Sequence, residues 1–89
     1  LYSVDLIDYS MVSNSPKWKF INDSDENLAN YIDILPKKFD LIYLDSLHEA
    51  NHVEKILYLY FEILKVGGYF VIDDISPILL LLKNESGSV

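Results

Sequence analysis

Five acids stand where short apolar runs stop: Asp5, Asp23, Asp45, and the adjacent pair Asp73 and Asp74. Carboxylates gathered at one edge repel one another unless a cation sits among them. Hard oxygen donors of this kind favour magnesium, calcium or manganese over zinc. His48 lies three residues past Asp45. Its imidazole changes charge near neutral pH, which suits it to take a proton beside such a cluster. Ion binding with proton transfer next to it is therefore the chemistry these types and spacings allow.

Taken singly, each acid also reads as a turn or helix-capping residue, and Asp8, Asp25 and Asp33 are assigned that role. Asp45 with Asp73 and Asp74 is assigned to function, because all three close runs expected to be neighbouring strands. His48 to His52 reads HEANH, which matches the HExxH zinc-protease pattern letter for letter. That pattern needs both histidines on one face of an established helix with a third ligand nearby. Here His48 opens the helix directly after an apolar run, which disfavours a zinc hydrolase.

The elements that must position these groups follow from periodicity. Residues 2–7 and 17–22 (KWKFIN) read as strands, with a loop between them. Ser24 followed by Asp25, Glu26 and Asn27 predicts a capped helix whose face is Leu28, Ile32 and Leu35, ended by Pro36. Residues 39–44 (FDLIYL) form a nearly continuous apolar run, the pattern of a strand covered on both sides. Over residues 49–65 the apolar positions Val53, Ile56, Leu57, Tyr60, Phe61 and Leu64 recur at helical spacing, and Gly67 with Gly68 is expected to end that helix. Residues 69–72 (YFVI) are a further buried strand, and a last helix is expected from Pro77. The tail, residues 76–89, is expected to be partly flexible.

Strand and helix alternation over residues 17–72 predicts two βαβ units with parallel strands and right-handed crossovers. All the carboxyl ends then share one edge, where open α/β sheets bind ligands. The fold class expected is an α/β, Rossmann-like parallel sheet with helices on its faces, in a single partial domain spanning residues 1–89.

Bulk properties narrow the function. The 89 residues carry 51% hydrophobic and 24% charged side chains, which fits one small globular domain. A formal charge of -7 opposes a broad phosphate-binding surface, so no nucleic acid partner is expected. The apolar run at residues 78–82 is far too short to span a bilayer, so a soluble, cytoplasmic protein is expected. The chain opens on Leu1 and has no cysteine, so upstream sequence or a second copy in a homo-oligomer is expected to complete its core.

Residues 39–76, FDLIYLDSLHEANHVEKILYLYFEILKVGGYFVIDDIS, resemble the fourth and fifth strands of class I S-adenosylmethionine-dependent methyltransferases, above all the metal-dependent O-methyltransferases. In that family the fourth strand ends in a metal-binding Asp, a long helix leads to a Gly-Gly turn, and the fifth strand ends in Asp-Asp or Asp-Asn. The resemblance implies Asp45, Asp73 and Asp74 as ligands of Mg2+ or a similar ion, with Asp45 also catalytic, and His48 as the base. Upstream, residues 1–6 (LYSVDL) resemble the second strand, which implies Asp5 on the ribose hydroxyls of S-adenosylmethionine and Leu6 against the adenine. Residues 20–28 (FINDSDENL) resemble the third strand and its turn, which implies adenine contacts from Asp23 and Ser24. Two departures stand out. The family's first strand with its glycine-rich turn is missing, and Ser46 replaces a residue that is often Gly. The function expected is methyl transfer to a hydroxyl of a small-molecule acceptor. The alternatives are a non-catalytic methyltransferase-like interaction module and, further off, the zinc hydrolase.

Overall fold

The computed structural model describes residues 1–45, 50–73 and 78–85, and the chain forms two compact units, Leu1–Leu35 and Pro36–Val89. In the first unit, β1 (Tyr2–Asp5) pairs in parallel with β2 (Lys19–Asn22), with Tyr2 opposite Lys19 and Asp5 opposite Asn22. Parallel pairing sets the ends of both strands, and so Asp5 and Asp23, at one edge. Aromatic side chains brace the opposite end: the Trp18 indole N–H donates to Ser3 Oγ at 2.9 Å, and its ring lies 5.6 Å from that of Phe20.

The helix expected after Ser24 is instead two short 3-10 turns, Asp25–Asn30 and Ile32–Ile34. Ser24 does cap the first, accepting the Glu26 N–H at 3.2 Å. Asn27 then leaves helical geometry, at φ -97° and ψ 38°. Ser, Asp and Asn side chains offer the backbone local partners that compete with an α-helical ladder, and this segment is rich in them. The tighter turn changes which side chains point inward. Leu28 and Tyr31 are buried with Ile21, while Ile32, expected on the inner face, is exposed.

In the second unit, β3 (Phe39–Leu44) pairs in parallel with β4 (Leu64–Asp73), joined by α1 (Ala50–Tyr60) and a 3-10 turn at Phe61–Ile63. The βαβ order expected for this half is therefore present. Its last strand is not as expected: β5 (Ile78–Leu82) is a strand where a helix was expected, antiparallel to β4 with Phe70 opposite Leu81. The run ILLLL has no helical alternation of polar and apolar residues, and it completes a ladder that β4 leaves open. Among the described residues the strands thus form a parallel pair in one unit and a mixed three-stranded sheet in the other.

The register of that sheet separates its faces, because successive strand residues alternate sides. Leu44, Phe70 and Ile72 share the buried side, and Ile56 and Tyr60, four residues apart on α1, are buried as well. Leu41, Tyr43, Tyr69, Leu80 and Leu82 share the other side and are all exposed.

The glycine pair does not end the helix, as expected, but lies inside β4. Helical spacing runs on to Leu64, yet the chain turns at Phe61 and residues 64–66 join the sheet, with Leu64 opposite Phe39 and Lys65 ion-paired to Asp40 at 2.7 Å. A break in register between Phe39 and Leu41 absorbs the extra residues. Gly67 takes a left-handed φ of 88°, and Gly68 passes so close to β3 that a Cβ would stand 2.8 Å from the Asp40 carbonyl oxygen. The turn is clamped from behind by Lys83, buried at 7% exposure. Its ammonium donates to the carbonyls of Phe61 and Leu64 at 2.9 and 2.8 Å and lies over the Phe61 ring.

Candidate functional site

Two strand edges carry the residues singled out from sequence, one in each unit. At the end of β1, Asp5 Oδ1 accepts the Ile7 N–H at 2.9 Å, and its carbonyl accepts the Asp23 N–H at 3.1 Å. Asn22 ties the edge together, its amide donating to the carbonyls of Asp5 and Leu6 at 3.0 and 2.9 Å. Leu6 itself is 74% exposed, an apolar side chain held out beside the strand end. Parallel pairing therefore does bring Asp5, Leu6, Asp23 and Ser24 to one edge.

Asp23 is the most heavily engaged of the four. Its Oδ1 accepts the Ser24 N–H at 2.7 Å and the Asn27 amide at 2.9 Å, while Oδ2 accepts the Asn30 amide at 3.2 Å. Those donors, led by Asn27, hold the Asp23 carboxyl below its usual pKa. Ionised carboxylates are what such an array favours.

In the second unit, Leu44 pairs with Ile72, so the register carried one residue further sets Asp45 opposite Asp73. Parallel strands lie about 4.8 Å apart, which brings these positions to the same edge. Sequence reasoning missed a third member, Tyr43. Its hydroxyl donates to Asp73 Oδ2 at 2.6 Å. That bond, with burial and the charges of Asp73 and Asp45 adding to it, pushes the Tyr43 hydroxyl up to about 12. The signal was available in principle: Tyr43 and Asp45 are two residues apart in a strand and so share a face.

Asp74 and His48 lie outside the described residues. His52 is in the first turn of α1 and half-buried. Among the described residues no group of three or more His, Cys, Asp or Glu side chains is arranged to hold a metal ion. Asp45 and Asp73 have the hard-oxygen chemistry such an ion prefers, yet as a pair they are short of a closed set of ligands. No described helix is long and apolar enough to cross a membrane.

The chain is thus of the α/β class, with a βαβ connection in its second unit and acids at the carboxyl ends of the parallel strand pairs in both. Residues 10–75 match the model of a family described as a methyltransferase domain, and the chain belongs to that family. No curated protein and no solved structure matches it.

Proposed function

We propose that the protein transfers a methyl group from S-adenosylmethionine to a hydroxyl oxygen of a small-molecule acceptor. The observation that carries this reading is membership of a methyltransferase family across most of the chain, with acids at the carboxyl ends of parallel pairs in both units. A single Rossmann-like sheet belongs to the proposal rather than to the described strands.

In this reading Asp5 holds the ribose hydroxyls, Leu6 lies against the adenine, and Asp23 with Ser24 contacts the adenine edge. The cofactor supplies an electrophilic methyl group on a sulfonium. His48 takes the acceptor's hydroxyl proton, and Asp45 lies three residues away to favour the imidazolium that forms. A divalent ion would be held by Asp45, Asp73 and Asp74 and would lower the pKa of the acceptor oxygen. Only the donor chemistry of the two described acids supports that ion. Proton removal by His48 does not depend on it.

One observation favours the non-catalytic reading: Asp23 and Asp73 already accept hydrogen bonds from the chain itself. Membership of a methyltransferase family runs against the hydrolase. Calorimetric titration of the full-length protein with S-adenosylhomocysteine, the demethylated product, separates the first two. Binding is expected, weakened by Asp5→Ala. A full-length protein that takes up no S-adenosylhomocysteine would overturn the enzymatic reading.

A further inference from the structure

Among the described residues, the three-stranded sheet of the second unit is buried on one face and open on the other. Leu44, Phe70 and Ile72 on the first face are 7%, 0% and 3% exposed. On the second face Leu41, Tyr43 and Tyr69, joined by Ile78, Leu80 and Leu82 of β5, are all between 44% and 59% exposed. The register makes these six one surface, because Leu41 and Leu82 flank Tyr69 while Tyr43 and Leu80 flank Val71. The run FDLIYL carries the nearly continuous apolar pattern of a strand covered on both sides. Its second face is therefore composed for burial.

At about half exposure, six large side chains leave on the order of 600 Å2 of mainly apolar surface on each chain, the upper end of what a monomer usually shows. Two such faces together would bury on the order of 1,200 Å2, the lower end of the range for a specific, stable interface. Charge decides which partner fits. The formal charge of -7 opposes an anionic lipid surface and a nucleic acid. It also makes acidic surfaces self-repelling, since near a twofold axis each charge meets its like. None of the six side chains is charged. Asp73 closes β4 at the rim of this face, where it accepts the Tyr43 hydroxyl.

We infer that this face is a self-association surface, on which two copies of the chain stack sheet against sheet about a twofold axis. Stacked sheets lie about 10 Å apart with their strands within about 30° of each other. Leu41, Tyr69 and Leu80 of each copy then lie in one shared apolar layer. The strand-end acids stay at the rim, and stacking asks nothing of them or of methyl transfer. Salt screens the repulsion between two acidic chains, so this association strengthens with salt, whereas a contact held by ion pairs weakens.

The test is sedimentation equilibrium of the full-length protein, native and substituted. The native protein should form dimers at about 10 µM, the weak end of the range that standard interfaces span. Its dissociation constant should fall as sodium chloride is raised from about 0.1 M to about 1 M. Leu41→Glu on β3 and Leu80→Glu on β5 should each raise that constant by about a hundredfold or more, since a twofold axis counts every change twice and each buries a charge without a partner. Tyr58→Glu, at a position 84% exposed on α1, should leave it unchanged. Should a Glu variant lose the native circular dichroism, Leu41→Gln and Leu80→Gln take its place and should weaken association by about tenfold. A native protein that stays monomeric at about 100 µM, an order of magnitude above the expected midpoint, overturns the inference. A dimer dissociated by Leu80→Glu but not by Leu41→Glu is held through the edge of β5, and a dimer untouched by both is held elsewhere. Either result overturns stacking through this face.

Discussion

The hydroxyl of Tyr43 on β3 donates to Oδ2 of Asp73 at the end of β4, 2.6 Å away and thirty residues on in the chain. Tyr43 pairs with Val71, so the bond runs diagonally along one face of the parallel ladder, towards the edge that Asp45 also reaches. A neutral phenol donates to the carboxylate, whereas a phenolate would be repelled by it.

That relationship predicts a titration. The Tyr43 hydroxyl is pushed up to about 12 from an ordinary 10. A folded-state pKa raised above the unfolded value favours folding while the proton is bound. The contribution is therefore complete below pH 10 and is lost as pH rises through about 12. Phenolate absorbance of the native protein minus that of Tyr43→Phe should show this late-ionising group, and Asp73→Asn should return it towards 10. A Tyr43 signal unmoved by Asp73→Asn would mean that the bond does not form in solution.

The glycine pair gives a second prediction, in which two neighbours fail for different reasons. At Gly68 a methyl group would meet the Asp40 and Lys65 carbonyl oxygens at 2.8 and 2.9 Å, backbone atoms that move only with the strand. Gly68→Ala should cost about 1–3 kcal/mol. At Gly67 nothing stands within 4 Å, and only the φ of 88° is strained by a side chain. Gly67→Ala should cost about 1 kcal/mol, and Gly67→Asn less, since Asn tolerates this region. Denaturant unfolding ranks the three, and a larger loss at Gly67 than at Gly68 would contradict the close approach to β3.

Lys83 supports a third. Its ammonium serves two carbonyls that close the turn after α1, and hydrogen bonds to a charged donor are worth about 1.5–3 kcal/mol. Lys83→Met keeps much of the apolar stem but leaves both oxygens without that donor. Stability in denaturant should fall by about 2 kcal/mol or more. A loss below about 0.5 kcal/mol, the usual range for surface changes, would show that solvent replaces the ammonium freely.

These residues also explain what was legible in the sequence. The run FDLIYL and the recurrence through Val53, Ile56 and Tyr60 mark β3 and α1, because burial of one face leaves a periodic trace. The parallel pairing of β3 with β4 follows from a helix lying between them. Local signals misled where long-range pairing overrode them. Helical spacing extends to Leu64, yet Phe39, Asp40 and Lys83 draw residues 64–68 into the sheet. Residues 78–82 become a strand because β4 has an open edge, which no local pattern announces. Asp45 and Asp73 were legible as strand-end acids. Tyr43 was legible only as a residue on the face of Asp45, because its bond to Asp73 depends on a register that only the paired strands define.

The last prediction sets His48 against His52, since the two readings of HEANH give them different duties. In the proposed mechanism His48 removes the acceptor proton, and His52, four residues further along the chain and on α1, takes no part. His48→Gln in the full-length protein should slow methyl transfer by about a hundredfold or more, the usual scale for loss of a general base, and should remove the lower limb of the pH–rate profile. His52→Gln should change the rate little, because any loss there would come through packing of the half-buried imidazole and would show first as reduced stability. A zinc hydrolase needs both imidazoles on one ion. Equal loss from the two substitutions, with one zinc bound per chain and released by either change, would overturn the assignment of His48 as a base and return HEANH to the metal-ligand reading.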